Sequence, residues 1–249
     1  MNTTTPVRFS KANSKLSKLY KVRALARFLK NGRKVYSLDL LAGVSCPGAN
    51  ICKSHVVETA NGVRYVVDGK GTIIRCFSAS QEALRKNVFN LRKRNYSAVR
   101  GKSREEILSI LTESLPVDAG IIRAHVSGDF FSQAYFLAWC DLAKMRPDIL
   151  IYAYTKSLRI VLANVDAIPD NLRLTLSAGG VYDKLIPQLP QYPVATIVYS
   201  AQHARELGLP IDSDDSHAAL CRESFALIVH GTQPAGSEAA RAVAAQRAK

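Results

Sequence analysis

The 249-residue chain has no apolar run long enough to span a bilayer. Its first ten residues, MNTTTPVRFS, lack the apolar core of a signal peptide. Both absences predict a cytoplasmic protein with no membrane partner. In a reducing cytosol the five cysteines, an odd number, do not predict a disulfide framework. That leaves buried small hydrophobes, metal ligands or reactive thiols. No P-loop and no G-x-G-x-x-G is present, and Ser127 does not sit in the G-x-S-x-G setting of a hydrolase serine. No internal repeat or linker divides the chain, so residues 1–249 are read as one domain. An apolar share of 47% and a charged share of 22% are ordinary for a protein that buries a core.

Acidic residues are scarce in the first half. Residues 1–117 hold 22 of the 34 Lys and Arg but only 7 of the 20 Asp and Glu, a net +15, whereas residues 118–249 sum to −1. Two stretches, 8–34 and 85–104, contain no acid at all. Such asymmetry points to a polyanionic partner, most simply nucleic acid or a nucleotide, or else to a solvated basic face.

Along the chain, Leu16, Leu19, Tyr20, Val22, Leu25, Ala26 and Leu29 recur near helical spacing and predict a basic amphipathic helix over 15–29. A strand at 35–40 leads into the loop Ala42–Gly48. Residues 61–76 read as a hairpin turning at Asp68–Gly69, and two basic helices fill 79–115. From 118 to 233 strands alternate with helices. Strands are expected at 121–127, 149–154, 172–177, 194–200 and 225–230, with helices at 132–145, 158–167 and 201–207. This rhythm implies parallel βαβ units, and the near-continuous apolar strands imply cover on both faces. Residues 234–249 are read as a terminal helix or tail. Phe130, Phe131, Tyr135, Phe136 and Trp139 are read as core.

Every one of these five strands ends in polar residues: His125-Val-Ser127-Gly128-Asp129, Tyr154-Thr-Lys156, Ser177-Ala-Gly-Gly, Tyr199-Ser200 and His230-Gly-Thr-Gln. Sites in parallel α/β proteins form at the carboxyl ends of strands, so a shared pocket is expected there. His125, Ser127 and Asp129 are candidates for acid/base work or ligand binding. Lys156 is a candidate anion contact. Asp212-Ser-Asp-Asp-Ser-His217 lacks the glycine and terminal Glu of a calcium loop and is read as a solvated loop. Cys46-Pro-Gly-Ala-Asn-Ile-Cys52, with Cys76 after a further 23 residues, is the strongest local signal. Thiolates favour zinc or iron–sulfur clusters. Three cysteines suit a cluster with one iron open. A closed zinc site needs a fourth ligand, for which His55, Cys221 or a strand-end His are candidates.

The blocks Ser45–Ala49, Arg75–Glu82, His125–Phe131, Tyr154–Lys156 and His230–Pro234 together resemble the phage gene-product-eighty-eight family, over about residues 16–237. A more distant resemblance is to radical S-adenosylmethionine enzymes, in which an N-terminal cysteine loop holds a four-iron cluster at the top of a partial (βα) barrel. Ser127-Gly128-Asp129 is similar to the motif that contacts the methionine amino group there, although the cysteine spacing departs from C-x3-C-x2-C. The resemblance implies a partial (βα) barrel with a 4Fe–4S cluster on Cys46, Cys52 and Cys76. S-adenosylmethionine or substrate would lie near Ser127, Gly128, Asp129, Ser177 and His230, with His125, Asp129 and Lys156 as catalytic groups. It implies a phage or mobile-element protein in the host cytoplasm, and the basic first half adds the expectation that it acts on a nucleotide or nucleic acid. The alternative expectation is a nucleic-acid-binding protein whose metal, zinc or cluster, is purely structural.

Overall fold

The computed structural model describes residues 5–248. Its strands are β1 (Ser10–Lys11), β2 (Lys34–Leu38), β3 (Ser54–Glu58), β4 (Arg64–Asp68), β5 (Ala119–Ala124), β6 (Leu150–Thr155), β7 (Leu172–Ser177), β8 (Val194–Val198) and β9 (Phe225–Ile228). Its α-helices are α1 (Phe77–Leu84), α2 (Lys86–Val99), α3 (Arg104–Ser114), α4 (Gln133–Met145), α5 (Leu158–Ala163), α6 (Ala201–Glu206), α7 (Ser216–Leu220) and α8 (Glu238–Arg247). Residues 1–4 and 249, at the two ends of the predicted domain, lie outside the described residues.

Seven strands form one sheet in the order β1-β2-β5-β6-β7-β8-β9, with β1 antiparallel to β2 and every later pairing parallel. The fold is mixed α/β, and the mostly parallel sheet is open, with no closed barrel. Because each parallel strand lies beside its predecessor, the chain winds one way across the sheet, and right-handed crossovers then stack their helices on one face.

Alternating strand residues divide between the two faces. Leu38, Ile122, Ala124, Ile151, Ala153 and Leu174 pack with Val99, Ile107, Tyr135, Trp139 and Val161 from the helices. Phe130, Tyr135, Phe136 and Trp139 are fully buried there, as their spacing predicts. The other face presents Val35, Ile121, Leu150, Tyr152 and Phe225. It is sealed by Leu16, Leu19, Leu25 and Phe28 of the N-terminal segment, and by Ala218 and Ala219 of the short α7 in the β8–β9 connection.

The predicted basic helix over 15–29 is therefore corrected. The segment is two 3-10 stretches, Leu16–Lys21 and Arg23–Phe28, broken at Val22 in an extended conformation. The plug bends at Val22 as its leucines seat on the sheet, and short i→i+3 hydrogen bonds such as Val22 to Leu19 and Leu25 to Val22 stand in place of an α-helical ladder. The hairpin also sits one strand earlier than predicted, pairing β3 with β4. Its turn uses Asn61-Gly62, with Gly62 at φ 76°, which suits glycine better than the Asp68–Gly69 step does. Residues 79–115 carry parts of three helices, not two, and the terminal segment contains helix α8. No helix of the described residues is long and apolar enough to cross a membrane.

Candidate functional site

The three cysteine-bearing segments dock on the carboxyl ends of the parallel strands, and glycines make the docking possible. Gly48 lies so close to β6 that a side chain there would meet the Lys156 carbonyl oxygen at 2.1 Å. At the end of β7 the Gly179 carbonyl accepts the Ile51 amide at 3.1 Å, Gly48 accepts the Val181 amide at 2.9 Å, and Ala49 bridges Gly180. Gly128, at φ 96°, leaves room for Ser45 and Leu40 against β5. Cys46 and Cys52 therefore sit across the ends of β5, β6 and β7.

Cys76 is brought to Cys52 by polar ties. The Ser54 hydroxyl accepts the Cys76 amide at 3.1 Å and donates to Asp68 at 2.8 Å. Asp68 in turn holds Arg75 through contacts of 3.0 and 2.5 Å. Gln233, after β9, accepts the Arg75 amide at 2.8 Å, and Phe77 meets the His230 ring edge-to-face at 4.6 Å. Cys76 caps α1, and the backbone amides of Ala79 and Ser78 interact favourably with its sulfur.

The thiols influence one another. Burial raises all three, Cys76 to about 11, and the neighbouring sulfurs raise Cys46 and Cys76 further. Asp129 adds to the rise at Cys46 and Cys52, whereas Lys156 favours the Cys52 thiolate. Among the described residues, no three His, Cys, Asp or Glu side chains converge closely enough to hold a single metal ion. His55, a candidate fourth ligand, lies on β3 opposite Val67; Cys221 lies on the far side of the sheet and donates to the Leu174 carbonyl.

Lys156 is buried, and its ammonium is bonded to the Ser177 hydroxyl at 2.9 Å, the Ser177 carbonyl at 3.0 Å and the Ala178 carbonyl. All three partners are neutral; among the described residues Lys156 makes no close ion pair, although its charge favours the buried Asp129 carboxylate. Asp129 is likewise buried. Its carboxylate accepts the Phe130 amide, the Thr155 hydroxyl and the Lys156 amide at 2.7, 2.7 and 2.8 Å, tying the end of β5 to that of β6. Burial pushes its pKa up against those hydrogen bonds. Ser127 reaches Glu82 at 3.3 Å.

His125 departs from the expected set. Its ring stacks on Tyr135, meets Phe130 and Trp139 edge-on, and bonds the Tyr135 hydroxyl at 2.9 Å. It belongs to the aromatic core on the helix face, and burial followed by the Arg123 charge lowers its pKa to about 3. A neutral imidazole sealed among rings is no proton shuttle, which corrects its candidacy as acid or base. His230 is half-buried against Phe77.

Two buried ionic groups escaped the sequence reading. On the plugged face, the fully buried Asp215 carboxylate takes Arg123, Lys15 at 2.6 Å and the Tyr152 hydroxyl at 3.1 Å. The acidic segment 212–217 is thus no solvated loop, and Asp212 is buried with it. The signal was Arg123, a lone charge inside an apolar strand. On the helix side, buried Glu82 pairs with Arg92 at 3.1 Å and accepts the Ala42 amide at 3.0 Å, bracing the cysteine loop. Part of the basic excess in 8–34 and 85–104 therefore faces inward.

No solved structure matches the chain significantly. The Gene 88 protein of Mycobacterium phage L5 is 27% identical over 112 residues, which cover 41% of this chain and 47%, about half, of that protein. The family model described as Gene product 88 matches residues 7–248, nearly the whole of what has just been described, and the chain belongs to that family.

Proposed function

We propose that Cys46, Cys52 and Cys76 hold an iron–sulfur cluster, and that the protein works on a nucleotide or nucleic acid brought to it by its basic half. The observation that carries this reading is Lys156, a buried ammonium that hydrogen-bonds only neutral oxygens, shares its charge with the buried Asp129 carboxylate and favours the Cys52 thiolate. A buried charge is costly unless it is compensated. A thiolate-ligated cluster is anionic and supplies the compensation, and amides at the start of α1 add theirs at Cys76. Three thiols whose charges act on one another are the donors such a group takes, whereas one zinc ion needs sulfurs at about 2.3 Å from a common centre, which no group of the described residues offers.

When bound, such a cluster supplies electron transfer, or an open iron that binds substrate or S-adenosylmethionine. The chain's own residues hold the thiols half-buried and place a positive charge near Cys52. Asp129 and Lys156 already use their hydrogen-bonding capacity within the protein. That favours a second reading: the metal group staples the N-terminal segments to the strand ends, and the protein's role is binding.

Anaerobic reconstitution with iron and sulfide tests both. A brown protein with visible charge-transfer absorption and stoichiometric iron, lost in Cys46→Ser, Cys52→Ser and Cys76→Ser, supports the cluster; a colourless product that takes up no iron refutes it. If the cluster forms, binding or reductive cleavage of S-adenosylmethionine supports the enzyme. A cluster that raises thermal stability yet neither binds nor cleaves S-adenosylmethionine supports the staple.

A further inference from the structure

The opposite end of the sheet holds a second feature. At the amino ends of β2, β6 and β7 lies a cleft of about 730 Å³ bordered by Arg27, Arg33, Lys144, Asp148, Asp170 and Arg173. Two of these groups are committed to one another. Arg33 donates to the Ala119 carbonyl at 2.9 and 2.6 Å, and to Asp148 through its carbonyl at 2.8 Å and its carboxylate at 2.5 Å. Asp148 also takes Arg146 at 2.9 and 2.8 Å. With two guanidiniums on it, Asp148 has no capacity left to neutralise a third cation.

The other cations are different. Among the described residues, Arg27, Lys144 and Arg173 make no ion pair. The Arg27 guanidinium lies over the Phe28 ring at 4.6 Å, and Arg173 donates to the Ala219 carbonyl at 2.5 Å. Arg173 is half-buried, and after burial itself the positive charges of Arg27 and Arg222 push its pKa below the ordinary arginine value. Asp170, exposed at the rim, pairs with none of them. Like charges gathered in a concavity whose Asp148 is already held by two guanidiniums repel one another until an anion arrives. The concavity focuses their field outward. Guanidinium forks match phosphate oxygens in geometry as well as charge.

We propose that this cleft binds a phosphate group, with Arg27, Lys144 and Arg173 as its contacts. The phosphate belongs to a nucleic-acid backbone or to a free nucleotide or inorganic phosphate. The inference stands apart from the cysteine reading, because the cleft lies at the other end of the strands and uses none of the same residues. It also narrows the basic segment 8–34 to Arg27 as its phosphate-facing member.

The test uses the full chain, fluorescein-labelled single-stranded DNA and RNA oligonucleotides read by anisotropy, and inorganic phosphate and ATP read by calorimetry. Arg27→Glu and Lys144→Glu alter exposed side chains, and circular dichroism checks that both variants fold. Lys86→Glu, exposed at the start of α2, is the control for diffuse charge. Each cleft variant is expected to weaken the bound probe by about tenfold and to flatten its salt dependence by about one unit of slope, with Lys86→Glu nearly unchanged. Oligonucleotide binding that resists inorganic phosphate identifies a nucleic-acid backbone. Binding of ATP or phosphate as tight as that of the oligonucleotide identifies the small anion. Failure of every probe to bind overturns the proposal, as does an equal loss in Lys86→Glu and the cleft variants. Neither outcome bears on whether a cluster forms.

Discussion

His125 decides where the chemistry at the strand ends stops and the core begins. In the folded protein its imidazole is sealed against Tyr135, Phe130 and Trp139 and titrates at about 3. In the unfolded chain an imidazole titrates near about 6.5. As pH falls below that value the unfolded state takes up a proton that the folded state refuses. Stability rises with pH wherever the unfolded state binds more protons, so the contribution of His125 is whole near neutrality and is lost as pH falls from about 6.5 toward 3. The slope reaches about 1.4 kcal/mol per pH unit, and the loss between about pH 7.5 and pH 5 is about 2 kcal/mol. Urea unfolding at these two values, for the native chain and for His125→Gln, isolates it. The Gln amide still reaches the Tyr135 hydroxyl, and its fixed cost cancels in the difference between pH values. Other groups, among them Glu82, Asp129 and His230, titrate in both proteins and cancel too. His125→Gln is expected to lose about 2 kcal/mol less than the native chain on acidification. Equal losses would show that the imidazole is not held neutral in the core, and would restore it as a proton carrier.

The remaining predictions concern the plug, the buried ion network and the thiols. Leu19→Ala, in the segment that seals the uncovered face, is expected to cost about 2–5 kcal/mol by urea unfolding, where an exposed helix leucine would cost little. Burial opposes ionisation of Asp215, yet Arg123 and Lys15 hold its pKa below the ordinary carboxylate value. Its stabilisation is therefore present above about pH 4 and lost as pH falls through the folded value. Asp215→Asn is expected to cost about 3 kcal/mol at neutral pH and to shrink the acid-side loss in the same assay. Because all three site thiols titrate high, loading a thiolate-bound group releases protons, so reconstitution yield is expected to be higher at about pH 8.5 than at about pH 6.5. Lys156→Gln is expected to lower the iron retained after reconstitution without unfolding the protein; full retention would remove the argument from charge compensation.

What could be read from the chain beforehand followed the range of the interactions involved. The parallel strands announced themselves through continuous apolar runs, and the aromatic set after β5 through helical spacing, because both patterns are local. The cysteine loop was visible as a constellation, and so was its place ahead of the strand ends. The plug defies a local pattern because its leucines are ordered by the sheet beneath them and not by neighbours one turn away. Asp215 looked solvated because its partners, Arg123 and Lys15, lie 92 and 200 residues off in the chain. His125 was drawn into the site by its neighbours Ser127 and Asp129, whereas its ring turns to Tyr135. In each case a contact distant in sequence overrode a sound local pattern.

The docking of the cysteine segments has a consequence for biosynthesis. Cys46 and Cys52 leave the ribosome long before Gly128, Lys156 and Gly179, the surfaces that receive them. At about 5–20 residues per second, the roughly 130 residues separating Cys52 from Gly179 take on the order of 10 s to synthesise. Through that interval the first two thiols have no platform and no burial to suppress their reactivity. Loading of any thiolate-bound group, and protection from oxidation, must therefore wait for the last third of the chain. A truncated nascent protein would fully expose the cysteines that the finished fold leaves half-buried.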